Sequence, residues 1–270
     1  MNPNKELWEK GDFTRIAATM RKSGEDLIRK LSVTKGLKVL DLGCGDGTTA
    51  IPSARLGAIV SGVDISSNLV IAGNIRAKAE GLTQCIFSEG DASDLNTLKN
   101  NSFDLVVSIF GAMFAPRPFD VASEMVRVTT PGGRIVMGNW IPGDPTLVAQ
   151  ILKICSAYMP PPPENFVSPM GWGVESNVIE RFTRAGIPTE NISFKKESFS
   201  FEADYNTDEF VKVFKFFYGP TMNAFEAAGK NNKSQELQQE LEKLFRSQNL
   251  QNSGMTTRIN ANFLMVNIIK

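Results

Sequence analysis

Glycines at every second position follow an aspartate early in the chain, in residues 41–47, which read DLGCGDG. The apolar run before them is typical of a buried strand, and the residues after them suit a helix. Between a strand and a helix, glycines allow a sharp bend and let a ligand approach the backbone, while the helix N-terminus favours an anionic group. The segment therefore predicts a nucleotide-binding loop.

The glycine spacing and two carboxylates narrow the class of ligand. The loop reads G-x-G-x-G, unlike the G-x-G-x-x-G of dinucleotide enzymes, and it lacks the Lys-Ser/Thr pair of a P-loop. Asp41 would repel a pyrophosphate but attract the ammonium group of a methionine moiety. Asp64 ends the next predicted strand, where a carboxylate suits bidentate contacts with ribose hydroxyls. Together these features favour a ligand built from methionine and adenosine.

The loop is the first of five motifs that follow one another between about residues 35 and 140. They are VLDLGCGDGT at 39–48, GVDIS at 62–66, GDA at 90–92, FDLVVS at 103–108 and PGGRI at 131–135. In this order they resemble the motifs of class I S-adenosylmethionine-dependent methyltransferases, in the small-molecule branch (methyltransferase type 11/25-like) that includes the quinone C-methyltransferases. The resemblance implies S-adenosyl-L-methionine as cofactor and S-adenosyl-L-homocysteine as its product.

The resemblance also implies a role for each matching residue. Asp41 faces the methionine end of the cofactor, Asp64 holds the ribose hydroxyls, and Asp91 accepts a hydrogen bond from the adenine amino group. The other residues expected along the cofactor are Gly43, Cys44 and Gly45 by their backbone, Ile65 and Ala92 beside the adenine, and Ser108, Ile109 and Phe110 near the sulfonium. In this family an N-terminal helix often closes over the cofactor, which adds Trp8, Phe13 and Arg15.

Four of these residues also have a purely structural interpretation. Asp64 could be a simple acid at the end of a strand, although its position relative to the glycine loop favours the ribose role. Asp91 follows a glycine, and this pair is common in turns whatever the ligand. Cys44 is better interpreted as a small loop residue than as a nucleophile. Phe110 suits core packing as well as it suits the lining of a pocket.

These motifs lie where strands and helices alternate. Strands are expected at residues 37–42, 58–64, 85–87, 103–110 and 134–140, and helices at 14–32, 48–56, 66–80 and 119–128. Leu69, Ala72, Ile75 and Ala79 are expected on the inner face of the third helix, and Phe119 on that of the fourth. Such alternation predicts βαβ units with right-handed crossovers in a doubly wound parallel sheet.

The second half of the chain differs, with prolines concentrated between residues 141 and 173. Strands are expected at 191–201 and 262–269, and helices at 207–218, with Thr207 as N-cap, and at 234–246. The resemblance completes the prediction. It implies an α/β fold with a Rossmann-like, doubly wound, seven-stranded, mostly parallel sheet in the order 3-2-1-4-5-7-6, its last-added strand antiparallel, and a helical lid insertion.

We expect a single methyltransferase domain over residues 1–270. Its expected parts are N-terminal cofactor-covering helices at 1–34, an S-adenosylmethionine-binding core at 35–140, a lid and acceptor region at 141–190 and 203–255, and late strands at 191–202 and 261–270.

Composition limits the classes of function. Lys plus Arg equals Asp plus Glu at 29 each, which argues against a dedicated nucleic-acid binder because such proteins need a positive field. No apolar run approaches the ~18 residues of a membrane span, and the first residues are too charged for a secretory signal. Three widely spaced cysteines indicate reduced thiols with no disulfide or zinc site. A cytoplasmic protein without a metal is expected.

The absence of histidine bears on mechanism, because catalysis must then proceed without an imidazole. Methyl transfer from a sulfonium is an in-line displacement from an activated donor, to which the protein contributes alignment and exclusion of water. A soft or ionised acceptor needs little help from a base, whereas a neutral alcohol would need an Asp, Glu or Tyr. The sequence assigns no catalytic residue.

The acceptor is expected to be a small molecule. Nucleic-acid amino methyltransferases of this class usually carry an Asn/Asp-Pro-Pro-aromatic motif where this chain reads SIFG at residues 108–111. Two other functions stay open: a non-catalytic S-adenosylmethionine-binding protein, and an NAD-dependent oxidoreductase, which the glycine spacing and Asp41 disfavour. The oligomeric state is not assigned.

Overall fold

A seven-stranded sheet in the order β3-β2-β1-β4-β5-β7-β6 organises the chain in the computed structural model, which describes residues 5–251 and 254–270. The strands are β1 (Lys38–Leu42), β2 (Ile59–Asp64), β3 (Cys85–Glu89), β4 (Phe103–Ile109), β5 (Thr129–Trp140), β6 (Ile192–Ala203) and β7 (Thr257–Ile269). The first five pair in parallel, and β7 runs antiparallel to both β5 and β6. The predicted fold class, strand order and antiparallel last strand are confirmed.

Helices connect the strands. They are α1 (Lys5–Glu9), α2 (Thr14–Ala18), α3 (Arg21–Lys30), α4 (Ala50–Arg55), α5 (Ser67–Ala79), α6 (Pro118–Val128), α7 (Leu147–Ser156), α8 (Glu175–Arg184), α9 (Thr207–Phe217), α10 (Gly219–Lys230) and α11 (Ser234–Gln248), with short 3-10 helices at Ala112–Phe114, Pro169–Gly173 and Thr189–Asn191. Helices α7 and α8 lie between β5 and β6, and α9 to α11 between β6 and β7. None of the helices described here is long and apolar enough to cross a membrane.

The central strands are buried on both faces. Leu105, Val106 and Val107 of β4 are each 0% exposed, as the continuous apolar run of an internal parallel strand predicts. Parallel pairing places the carboxyl ends of β1 to β4 at one edge of the sheet. The strand order reverses between β1 and β4, which leaves a crevice at that edge for a ligand.

Several predicted element boundaries are wrong. The helix predicted over residues 14–32 is two helices, α2 and α3, and the hydroxyl of Thr19 between them donates to the Ile16 carbonyl at 2.7 Å. Such a local bond competes with continuation of the helix. The last two strands are longer than predicted because they pair in one ladder from Ile192–Ile268 to Ala203–Thr257.

The inner face of α5 agrees with the prediction at Leu69, which is 3% exposed, but differs from it further along the helix. Ile75 is 64% exposed and Ala79 is exposed as well. The helix contacts the sheet instead through Gly73, where an added Cβ would lie 2.6 Å from the Phe87 ring. Because apolar residues surround most of this helix, periodicity alone did not identify the face that a glycine allows closest to the strands.

Two further predictions are corrected at helix starts. Phe119 of α6 is 37% exposed and lies under the guanidinium of Arg184, whose Cζ is 4.5 Å from the ring centroid. The N-cap of α9 is Asn206, not Thr207, because the Asn206 side chain accepts a hydrogen bond from the Glu209 amide at 2.9 Å.

Candidate cofactor site

A cleft of about 930 Å³ opens at the carboxyl ends of β1 to β4. Its wall combines the loops after these strands with residues from the N-terminal helices and from β6. The predicted site residues that line it are Trp8, Phe13, Gly43, Cys44, Gly45, Asp64, Ile65, Ala92, Ile109 and Phe110. Its position is that of a small-molecule site in an open α/β sheet.

The glycine loop adopts a backbone that other residues would strain. Gly43, Gly45 and Gly47 have φ values of +69°, +54° and +92°. A Cβ on Gly43 would lie 2.6 Å from the Cα of Gly111, which belongs to the loop after β4. Nothing lies within 4 Å of a Cβ built on Gly45. The loop thus packs backbone to backbone on one side and leaves space for a ligand on the other.

Asp64 joins the second strand to the glycine loop. Its Oδ2 accepts the Gly45 amide at 2.8 Å and its Oδ1 accepts the Ser66 amide at 2.9 Å. Burial raises the pKa of the Asp64 carboxyl, and these backbone donors partly offset that rise. These donors hold the carboxylate in a fixed orientation in the cleft wall, and a carboxylate can accept further hydrogen bonds from hydroxyl donors.

Asp41 is placed differently, beneath the cleft wall. It is 1% exposed, and its Oδ2 accepts a hydrogen bond from the Thr49 hydroxyl at 2.6 Å. Burial raises the pKa of Asp41 to about 7, and the charge on Asp64 adds to the rise. Asp41 is therefore bonded to the first turn of α4, and its predicted contact with the methionine end stays a prediction.

Three other predicted residues lie outside the cleft lining. Asp91 accepts hydrogen bonds from the amide and hydroxyl of Ser93, at 2.8 and 2.6 Å, within a turn. Ser108 donates to the Leu42 carbonyl at 2.6 Å and so ties β4 to β1. The side chain of Arg15 is 66% exposed. The backbone around Asp91 does reach the cleft, since Gly90 and Ala92 line it.

Part of the wall comes from residues that the sequence analysis did not single out. Asp46 lies in the glycine loop and forms a bidentate ion pair with Arg21 of α3. This pair fastens the N-terminal helices to the loop. Other unpredicted lining residues are Ala17, Met20, Thr48, Thr49, Leu69, Phe114, Ala115 and Phe199. The G-x-G-x-G motif itself includes Asp46, whereas the distant Phe199 carries no local signal.

The N-terminal segment contributes aromatic rings to the cleft wall. Trp8 lies 4.8 Å from Phe114 and 5.6 Å from Phe13, centroid to centroid, in edge-on arrangements. Just after Trp8, the Glu9 carboxylate accepts from the amide and hydroxyl of Ser67, at 3.1 and 2.8 Å. These contacts attach α1 to the start of α5.

The part of the cleft wall formed by the loop after β4 and by β6 is apolar. Phe110 has a positive φ of +61°, which is uncommon for a bulky residue, and its ring stacks on Trp140 at 3.6 Å. Phe199 packs edge-on against Phe110 at 5.1 Å. Among the residues that line the described cleft, the ionisable side chains are Cys44, Asp46 and Asp64, all at the glycine-loop end. Burial raises the pKa of Cys44 well above its usual value, so its thiol stays protonated.

Comparison with known proteins agrees with this geometry. Residues 40–137 match a family model described as a methyltransferase domain. Over 223 residues the chain is 31% identical to a protein of Mycobacterium bovis that is named only as uncharacterized, which covers 82% of this chain and 79% of that protein. Over 115 residues it is 38% identical to the demethylmenaquinone methyltransferase of Geobacillus kaustophilus, or 42% of this chain and 49% of that enzyme.

Solved structures share the fold. The YcgJ protein of Bacillus subtilis superposes with a TM-score of 0.60 at 19% identity, covering 92% of this chain and 98% of that one. Phosphoethanolamine N-methyltransferase 2 of Haemonchus contortus, solved with S-adenosyl-L-methionine, gives a TM-score of 0.55 at 20% identity and covers 92% of this chain and 52% of that one. With the motifs, sheet order and sequence relatives, this chain belongs to the class I S-adenosylmethionine-dependent methyltransferases.

Proposed function

We propose that this protein methylates a small, apolar acceptor that supplies its own nucleophile. The observation that carries the proposal is the chemistry of the cleft wall, which is ionisable only at the glycine-loop end. The other end is formed by side chains such as Ile109, Phe110, Phe114 and Phe199. Such a wall stabilises an apolar molecule and offers no group to remove its proton.

Different residues of the cleft would bind the cofactor and align the reacting groups. When bound, S-adenosylmethionine supplies an activated methyl group, which in-line transfer moves to the acceptor with S-adenosylhomocysteine as the product. Asp64 would hold the ribose hydroxyls, while Gly43 and Gly45 admit the amino-acid portion close to the backbone. Ile109 and Phe110 would shape the space in front of the methyl group and exclude water. Alignment of this kind contributes ~7–11 kcal/mol to lowering a barrier.

The acceptor chemistry follows from what the wall lacks. A thiolate, an enolate or an acidic phenolate is already nucleophilic near neutral pH, whereas a neutral alcohol is not. The relative from Geobacillus kaustophilus is named for a quinone-type acceptor, which accords with a ring entering a cleft lined by aromatic side chains. We propose ring acceptors with an acidic hydroxyl, or enolisable ring carbons, as the first class to test.

Formation of S-adenosylhomocysteine tests this proposal directly. The protein is incubated with S-adenosylmethionine and matched pairs of acceptors, each an acidic phenol or hydroquinone beside a neutral alcohol of the same size. We expect S-adenosylhomocysteine by mass spectrometry with the ionisable member only. Cofactor binding by calorimetry without turnover of any acceptor would instead support a non-catalytic binder. Tighter binding of NAD than of S-adenosylmethionine would overturn the methyltransferase assignment.

A further inference from the structure

A buried arginine on α8 lacks an acidic partner among the described residues. Arg181 is 7% exposed, and its Nη1 atom is buried without a hydrogen-bond partner. The adjacent carboxylate, Glu180, binds Arg184 instead at 2.9 Å. The Arg181 guanidinium lies over the ring of Trp172, with Cζ 4.4 Å from the ring centroid. Since buried charges are normally paired, this cation is positioned for an anion that the described residues do not supply.

Two neighbouring elements contribute further unpaired polar groups. Trp172 Nε1 and both polar side-chain atoms of Asn139 are buried without a partner, and each of the two residues is 1% exposed. Trp172 lies in the 3-10 helix Pro169–Gly173, which contacts both β5, where Asn139 lies, and α8. Buried polar groups are nearly always hydrogen-bonded, so unpaired donors on this 3-10 helix and on the two elements that contact it indicate a missing acceptor.

A glycine leaves an opening beside the guanidinium. Gly171 is partly exposed, and a Cβ built on it would lie 3.2 Å from Arg181 Nη2 and 3.5 Å from Asn177 Nδ2. Asn177 holds this turn, because its side-chain amide donates to the Gly171 carbonyl at 3.1 Å. The missing side chain therefore leaves the solvent side of Nη2 uncovered, and a small ligand could approach the planar donor pair there.

We propose that Arg181, Trp172 and Asn139 form a binding site for an oxyanion, namely a carboxylate or phosphate group on a small molecule. The parallel N–H groups of a guanidinium match two oxygens of either group, and the indole N–H and carboxamide add donors. The site is separate from the cofactor cleft but adjoins it. The 3-10 helix Pro169–Gly173 also contacts Ala112–Phe114, from which Ala112 and Phe114 line the cleft. An anion bound at Arg181 would therefore stabilise the part of the cleft wall that Ala112 and Phe114 form.

Thermal unfolding with added anions tests the site without any methyltransferase assay. The protein is titrated with sodium acetate and with sodium phosphate, each balanced with sodium chloride at constant ionic strength. We expect a saturable rise in Tm with at least one of them, and the comparison identifies which oxyanion the site prefers. Arg181→Met should weaken the apparent affinity at least tenfold. Arg184→Met, which removes an exposed arginine from the same helix, should respond like the unmodified protein.

Two further variants keep the charge of Arg181, so that an effect on anion binding can be distinguished from a failure to fold. Trp172→Phe keeps the aromatic face under the guanidinium but removes the N–H donor, and should weaken anion affinity several-fold. Gly171→Val fills the opening beside Nη2 and should abolish the response even if Arg181→Met fails to fold. No saturable rise in the unmodified protein, or equal responses in Gly171→Val and the unmodified protein, would overturn the proposal and leave a purely structural Arg181–Trp172 stack.

Discussion

Asp64 combines a fixed orientation with a place in the cleft wall. Two backbone amides hold its oxygens, and the glycine loop depends on one of those bonds. The residue therefore shapes the loop as well as facing a ligand. Asn at this position would keep only one of the two backbone bonds, because its side chain has a single acceptor oxygen and would turn an NH2 donor toward the other amide.

We predict that Asp64→Ala weakens S-adenosylmethionine binding more than about tenfold, or ~1.4 kcal/mol, because charged hydrogen bonds to the ribose are lost. Calorimetry measures the dissociation constant. Asp104→Ala is the matched control, since Asp104 also accepts a strand amide, from Lys38 at 3.0 Å, but lies outside the cleft lining. An unchanged constant in Asp64→Ala would show that the ribose assignment is wrong.

Asp41 gives the protein a pH-dependent stability with a definite sign. Its pKa in the folded protein, about 7, is above the ordinary aspartate value of 3.8, so the folded state holds a proton that the unfolded state loses first. The free energy of unfolding should therefore fall as pH rises from about 4 to 7, without cofactor. Burial also raises the pKa of Asp64, which acts in the same direction.

Asp41→Asn should make the free energy of unfolding fall less steeply with pH, because Asn stays neutral and can still accept a hydrogen bond from the Thr49 hydroxyl. Chemical denaturation from pH 5 to 8 provides the measurement. We expect the variant to gain stability relative to the unmodified protein as pH rises. A constant difference between the two across this range would mean that Asp41 does not titrate there in the folded protein.

At the scale of elements, the contact between the glycine loop and the turn after β4 holds two parts of the cleft wall together. A Cβ on Gly111 would lie 2.6 Å from Gly43 Cα, so the turn after β4 and the glycine loop touch through backbone alone. This contact joins the part of the wall nearest the glycine loop to the part that Phe110 and Ala112 form. Movement of either loop would displace the other.

Gly111→Ala should consequently lower both Tm and cofactor affinity, although the φ of Gly111, −96°, suits any residue. Gly229→Ala offers a control within α10, where the new Cβ would make an ordinary 3.4 Å contact with Ser234 Oγ. That change should be neutral or stabilise by ~0.4–1 kcal/mol. Differential scanning calorimetry and cofactor titration together provide the comparison. Retention of full affinity in Gly111→Ala would show that the two loops are not coupled.

At the scale of the whole molecule, the cleft joins distant parts of the sequence. Phe199 of β6 lines it beside Phe110, while Phe201, two residues further along the same strand, is equally buried but does not line it. The late strands thus contribute directly to the apolar part of the cleft wall. This pair of residues provides a matched comparison of packing and binding.

Phe199→Leu and Phe201→Leu should cost similar stability, because both rings are almost fully buried. Only Phe199→Leu should raise the KM of an acceptor identified by S-adenosylhomocysteine formation, with little change in cofactor affinity. Unfolding experiments measure the loss of stability in both variants, and steady-state kinetics measure the difference in KM between them. Equal KM changes in both variants would place the acceptor away from Phe199.

Features that show in a local pattern could be predicted from the sequence, whereas features that depend on residues distant in the chain could not. The glycine loop and the central strands show as local patterns of a few residues, and Asp64 is found because it ends one of those strands. The inner face of α5 depends on the ring of Phe87 meeting Gly73, which a helical period does not reveal. Phe199 reaches the cleft only because β6 pairs with β7, a contact between residues about sixty positions apart. Such residues require the sheet before they can be assigned.

The position of β7 between β5 and β6 also has a consequence for biosynthesis. A ribosome releases β6 before β7, yet β6 has no partner in the sheet until β7 has paired with β5. During translation the early strands can form the glycine loop. At that stage β6, which carries several phenylalanines, still lacks a partner strand. Synthesis that stalls in α9 to α11 would leave this apolar strand edge exposed to other chains. Nascent chains arrested there are therefore expected to recruit chaperones.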